Sequence, residues 1–167
     1  TDGRGGLNGT LARFFANQLG LPGLSDFEND LPAVGDWSLM DTGANNFTSA
    51  LRLKLKSLPG DSVDSTLVGF IPGRMTAWSR MKLGWLIPKI ITHDDTLRVV
   101  APHVLSDLPE AVQIPINADE YFLVENRISR LTMQNRIPTI EFSRGIEGGV
   151  WLSVDDYDAF IPGSGIL

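Results

Sequence analysis

Near residue 90 the chain changes its pattern, and that change limits the folds open to it. After it, "IITHD", "TLRVVAP", "VQIPI", "EYFLVENR", "TIEFSR" and "GGVWLSVD" are short β-branched and aromatic runs divided by turn residues, which predicts a strand-rich unit. Before it, two segments carry helical spacing. In "NGTLARFFANQLGLPG" Leu11, Phe15 and Leu19 repeat every four residues, Asn8 or Thr10 can cap, Gly20 suits the stop and Pro22 forbids continuation, so a helix is expected over 10–19. "PGRMTAWSRMKLGWL" places Met75, Trp78, Met81 or Lys82, and Trp85 near helical spacing and predicts a short helix ending around Gly84.

The connecting stretches read differently. "SDFENDLPAVGDW" is an acidic loop, and "WSLMDTGANNF" a tight turn region with Gly43, Asn45 and Asn46 supplying turn chemistry. Residues 48–57 alternate at Leu51, Leu53 and Leu55 as a strand would, while Ala50 and the basic residues leave a helix open. The whole reads as α+β, with residues 1–90 helical and turn-rich and residues 91–167 β-rich.

Composition narrows the partners. The 167 residues are 43% hydrophobic, enough to bury a sizeable core. A net charge of -6 argues against nucleic acid and anionic membranes, and the nearest approach to a basic cluster is Arg52, Lys54 and Lys56. No apolar run reaches the roughly 18 residues of a spanning helix. "TDGRGGLNGT" has no signal-peptide pattern, although a leader removed by processing fits equally well. Absence of cysteine excludes disulfides and thiolate catalysis and leaves the compartment open. Asn8 and Asn46 begin Asn-x-Thr triplets, a weak glycosylation signal.

Catalytic constellations are scarce. His93 and His103 are the only histidines, both in the strand-rich part and without the i, i+4 spacing of metal capture on a helix. There is no Gly-x-Ser-x-Gly elbow, and the glycine-rich "GRGGLNG" and "PGSG" lack the strand-before, helix-after setting of a phosphate loop. Acidic stretches leave calcium open at Asp26, Glu28 and Asp30, or at Asp155, Asp156 and Asp158, although none has the twelve-residue calcium-loop pattern and a solvated acidic loop is the simpler reading.

Five stretches carry a family resemblance: "GTLARFFANQLGLPGL", "VGDWSLMDTG", "MTAWSRMKLGWLIP", "EYFLVENR" and "DYDAFIPGSGIL". In that order they resemble the landmarks of the M6 family of secreted metalloproteases, the immune inhibitor A-like peptidases, over residues 9–167. The resemblance implies a metzincin-like helical subdomain with a Met-turn at Met40, followed by the β-rich segment. It also implies a zinc motif, His-Glu-x-x-His-x-x-Gly-x-x-Asp, on the first helix. Its first histidine falls on Arg13, its glutamate on Phe14, its second histidine on Asn17 and its third ligand on Gly23; only Gly20 is kept.

Those replacements remove the chemistry. Arg13 has no lone pair to donate, Phe14 cannot move a proton, Asn17 is a feeble zinc ligand and Gly23 has no side chain. The resemblance therefore implies an inactive metalloprotease-like domain without zinc, with a binding or structural role outside the cell or at its surface. Two alternatives stay open: a building block of an extracellular fibre or surface assembly, and an active metallopeptidase using ligands from elsewhere. The family's preceding half is not in this sequence, and its back-half sheet continues beyond "PGSGIL". Apolar surface at Phe14, Phe15 and Leu19 is thus expected to pack on that missing half of the precursor, on another subunit, or on further copies.

Overall fold

The computed structural model describes residues 4–5, 7–26, 28–29, 31–48, 53–54, 62–63, 67–69, 71–129, 140–143, 150–154, 157–158 and 160–167. In chain order, β1 (Arg4–Gly5) leads to α1 (Asn8–Gln18), then to β2 (Ser25–Asp26) and β3 (Leu31–Pro32). Two 3-10 turns (Gly35–Trp37 and Thr42–Asn45) precede β4 (Phe47–Thr48), β5 (Leu53–Lys54), β6 (Ser62–Val63), β7 (Leu67–Val68) and α2 (Ala77–Lys82). The rest is β8 (Lys89–Ile90), β9 (Ala111–Pro115), β10 (Tyr121–Arg127), β11 (Ile140–Ser143), β12 (Val150–Val154) and β13 (Gly165–Ile166). Helices and sheets are mixed along the chain, an α+β arrangement.

Among the described residues the strands form a four-stranded sheet, β13-β10-β9-β8, a three-stranded sheet, β1-β7-β4, and three two-stranded pairs. The β9–β10 hairpin is antiparallel, with Phe122 opposite Ile114 and Val124 opposite Val112. The β8–β9 pairing is parallel. No helix of the described residues is long and apolar enough to cross a membrane.

The first helix starts earlier than its side chains suggest. Leu7 is the cap position, with no side-chain bond, and Asn8 and Thr10 are already helical. A tertiary bond takes the cap's place: the Gly9 amide, free at a helix start, donates to the Gly69 carbonyl at 3.0 Å. At the far end Gly20 adopts φ +95°, the left-handed stop that its position predicts.

Burial on α1 runs against the sequence pattern. Leu11, Phe14 and Phe15 are 60%, 60% and 63% exposed, while the buried positions are Gly9 and Ala16. The reason is close approach. A Cβ at Gly9 would overlap the Ala44 carbonyl, so only the small-residue face lets the helix lie on the Thr42–Asn45 turn. Ala16 there joins Leu21, Leu39, Met40 and Ala44 in one buried cluster, flanked by Ala12, Leu24, Met75 and Leu83.

Elsewhere the pattern and the structure agree in part. α2 is capped by Thr76, whose hydroxyl accepts from the Ser79 amide, and it ends before Gly84 at φ +72°. The acidic loop contains a short hairpin, β2–β3, because Asp26 closes it by accepting from the amides of Glu28 and Asn29. "TLRVVAP" is not a strand. The Val100 amide bonds the Pro109 carbonyl, and the Val99 carbonyl accepts from Asn126, so neither is left for a neighbouring strand. Of residues 48–57, Leu53 and Lys54 are extended and pair with β6; Leu51 and Leu55 lie outside the described residues.

Candidate functional site

Two buried polar arrangements could carry function. The first lies beneath α1, where "WSLMDTG" folds into successive tight turns. Met40 is fully buried against Ala16, and the Met40 carbonyl accepts from the Leu24 amide at 2.9 Å, which ties the segment after Gly23 to the turn. Asp41 holds the turn together. Its carboxylate accepts from Ser25 Oγ at 2.7 Å and from the amides of Val34, Gly35 and Thr42 at 2.8 Å each. Burial alone would push its pKa up, but these four hydrogen bonds outweigh it and hold the carboxyl below its ordinary value.

Around this turn the structure separates the sequence-predicted positions. Arg13 is half-buried and its guanidinium Nη1 donates to the Asp41 carbonyl at 3.4 Å, so a fixed positive charge lies beside the turn that follows Met40. Phe14 and Asn17 face solvent, and Gly23 is half-buried. Arg13, Gly23 and Met40 are thus gathered at the C-terminal half of α1, while Phe14 and Asn17 are not part of any buried site.

The acidic candidates have other partners. Besides the two amides that close its hairpin, Asp26 accepts from Asn29 Nδ2 at 2.7 Å. That side-chain bond first, and then the two backbone amides, lower its pKa. Glu28 is exposed, and Asp30, Asp155 and Asp156 lie outside the described residues. Asp158, the described member of the second calcium candidate, is fully buried, and its oxygens accept from the Arg127 guanidinium and from the Arg74 amide. Among the described residues no three His, Asp or Glu side chains are grouped to hold a metal ion. His93 is exposed and His103 half-buried. Asn46 is buried and its Nδ2 donates to the Asp36 carbonyl at 3.0 Å, so the folded turn leaves no room for a glycan there.

The second arrangement was not foreseen from the sequence. Glu125 and Arg127, on one face of β10, are 2% and 0% exposed. Arg127 Nε donates to Asp158 at 2.9 Å, and its Nη2 bonds the other oxygen of the same carboxylate. Arg80 on α2 pairs with Glu110 through Nη1 and, at 3.4 Å through Nη2, with Glu125. The period-two alternation of "EYFLVENR" does place Glu125 and Arg127 on the same side of a strand. Their partners at residues 80 and 158, and Glu110 beyond Arg80, are visible only once the chain has folded.

Beside this network lies a cavity of roughly 600 Å³, within the range of small-molecule sites. Its walls come from the β2–β3 region (Leu24, Ala33, Val34), from Trp37, from the start of α2 (Thr76, Ala77, Trp78), and from Leu123, Glu125 and Leu167. No family model matches the chain, and no curated protein or solved structure does.

Proposed function

We propose that this chain is a metalloprotease-like domain that no longer performs metal chemistry and that works outside the cell by binding or as structure. The reading rests on the M6 resemblance of the five sequence stretches and is carried by one observation: the guanidinium of Arg13, standing where that family keeps its first histidine, is bonded to the turn after Met40. A guanidinium stays protonated, offers no lone pair, and repels a divalent cation at short range. Gly20 in its left-handed conformation and the buried Met40 suit a scaffold in which helix and Met-turn serve packing.

The deciding measurement is metal content. Protein purified without chelators and analysed by mass spectrometry is expected to hold no stoichiometric zinc and to leave casein uncut. One tightly held zinc per chain, or cleavage abolished by a chelator, would overturn the reading in favour of an active peptidase with ligands from elsewhere.

A second reading has its own support. Leu7, Leu11, Phe14, Phe15 and Leu19 present an exposed apolar stripe along α1, with no charge among them. A stripe of that kind is a surface that another chain can cover, as in a building block of an extracellular assembly. Electron microscopy of the native material would show repeating polymers if this reading holds, and dispersed particles if it does not.

A further inference from the structure

Glu125 is the least well served of the buried carboxylates. Asp158 receives two nitrogens of Arg127, one at 2.9 Å, and Glu110 takes Nη1 of Arg80. Glu125 is left with one long contact per oxygen, 3.4 Å to Arg80 and 3.5 Å to Arg127. Charge-assisted bonds normally close to about 2.7–2.9 Å, and an ionised carboxylate can accept about four hydrogens. Its acceptor capacity is therefore underused while the group is shielded from water, which is costly for a charge.

The balance of charge points the same way. Glu125 shares Arg80 with Glu110 and Arg127 with Asp158, so neither guanidinium is its own. Arg74 reaches Asp158 at 4.0 Å and has no ion pair with Glu125. Among the described residues Glu125 is also the one charged side chain on the wall of the cavity, opposite apolar groups such as Leu24, Val34, Trp37 and Leu123. Trp78 supplies apolar wall; its ring already has the exposed Lys82 ammonium 5.5 Å from its centroid.

We propose that this cavity is a binding site for a primary ammonium carried on an apolar body, with the ammonium donating to Glu125 and the body lying against Trp37 and Leu123. Such a ligand brings a cation that Glu125 does not have to share and donors able to come closer than 3.4 Å, and its apolar part removes the remaining wall from water. The same chemistry can arrive as a small free amine or as an amine borne on a peptide. The inference does not depend on the metalloprotease resemblance, because Glu125 and the cations that reach it, Arg80 and Arg127, take no part in the zinc motif on α1.

The test is titration at neutral pH with 2-phenylethylamine and with 2-phenylethanol, which has the same body without the charge, read by tryptophan fluorescence and by calorimetry. The amine is expected to bind saturably and at least about tenfold more tightly than the alcohol, and Glu125→Gln to remove that difference. Since Glu125→Gln disturbs a buried network, Val34→Trp serves as the second variant: it puts an indole into the cavity, changes no residue of the ion pairs, and is expected to weaken amine binding at least about tenfold. A peptide with an N-terminal phenylalanine that binds as well as the free amine identifies a peptide-borne ligand. Failure of that peptide beside a binding free amine identifies a small molecule. Equal binding of amine and alcohol, amine binding untouched by both variants, or no saturable amine binding overturns the proposal.

Discussion

The Asp41 turn and the Glu125–Arg127 network both bury carboxylates, and they keep them by opposite means. Asp41 is surrounded by neutral donors, three of them backbone amides within seven residues of it, so the chain that carries the charge also supplies its partners. Asp158 relies on the guanidinium of Arg127, 31 residues away on β10, and Glu125 on Arg80, 45 residues away on α2, together with Arg127 on its own strand. A locally held charge forms with its turn and fixes local shape. A charge held by distant cations is satisfied only when α2, β10 and the segment around Asp158 have all come together, and it ties those elements to one another.

The largest test of that contrast is Arg127→Met. It keeps the volume but removes the fully buried cation that bonds both oxygens of Asp158 and one of Glu125, and is expected to cost about 4 kcal/mol in a urea melt, the range for breaking a buried pair. A loss under about 1 kcal/mol would mean that the network is not what ties the segment around Asp158 to β10. Next comes Asp41→Asn. An amide has one accepting oxygen in place of two, so two of the four donors lose their acceptor, at a cost of about 3 kcal/mol.

The same residue sets a pH dependence. The folded carboxyl of Asp41 lies below the ordinary value of about 3.9, so the unfolded chain takes up its proton first as pH falls. The stability it contributes is fully present above about pH 4 and is lost as pH drops through its lower folded value. Denaturation midpoints followed downward from neutral pH should fall over that acid window, and less steeply in Asp41→Asn. Asp26 is shifted in the same direction, so a residual slope remains in that variant.

Smaller effects sharpen the local side of the comparison. Gly20→Ala forces a side chain into φ +95° and is expected to cost about 1 kcal/mol in thermal melts, although no atom crowds the position. Phe14→Ser, on the exposed stripe of α1, should change stability by less than about 0.5 kcal/mol. If Phe14→Ser instead lowers the apparent mass in sedimentation, the stripe is an interface between copies.

Much of the local structure was legible in particular residues. Gly20 and Gly84 marked helix ends because left-handed stops are chemistry of single residues. "VQIPI" and "EYFLVENR" marked β9 and β10 because alternation is imposed by the pleat. The orientation of α1 was not legible. The spacing of Leu11, Phe15 and Leu19 describes an apolar stripe correctly and says nothing of which stripe is buried. That was decided by Gly9 and Ala16, whose small size permits contact with the Thr42–Asn45 turn. "TLRVVAP" misled for a related reason, since β-branched residues favour extended backbone but only an available partner makes a strand.

The candidate sites divide along the same line. Arg13, Phe14, Asn17 and Gly23 could be singled out by position in a motif, because a motif is sequence. Asp158 was read as one of three neighbouring acids, and its actual role depended on Arg127, 31 residues away. By itself the sequence determined where helices stop, which residues alternate on a strand, and that four positions on and after α1 lack groups able to hold zinc. Tertiary structure alone decided which face of α1 meets the core, that Glu125 is shut into a cavity wall, and which cations reach it. Propensity and side-chain chemistry act within a turn or two of the chain, whereas burial and ion pairing depend on what distant segments bring to the same place.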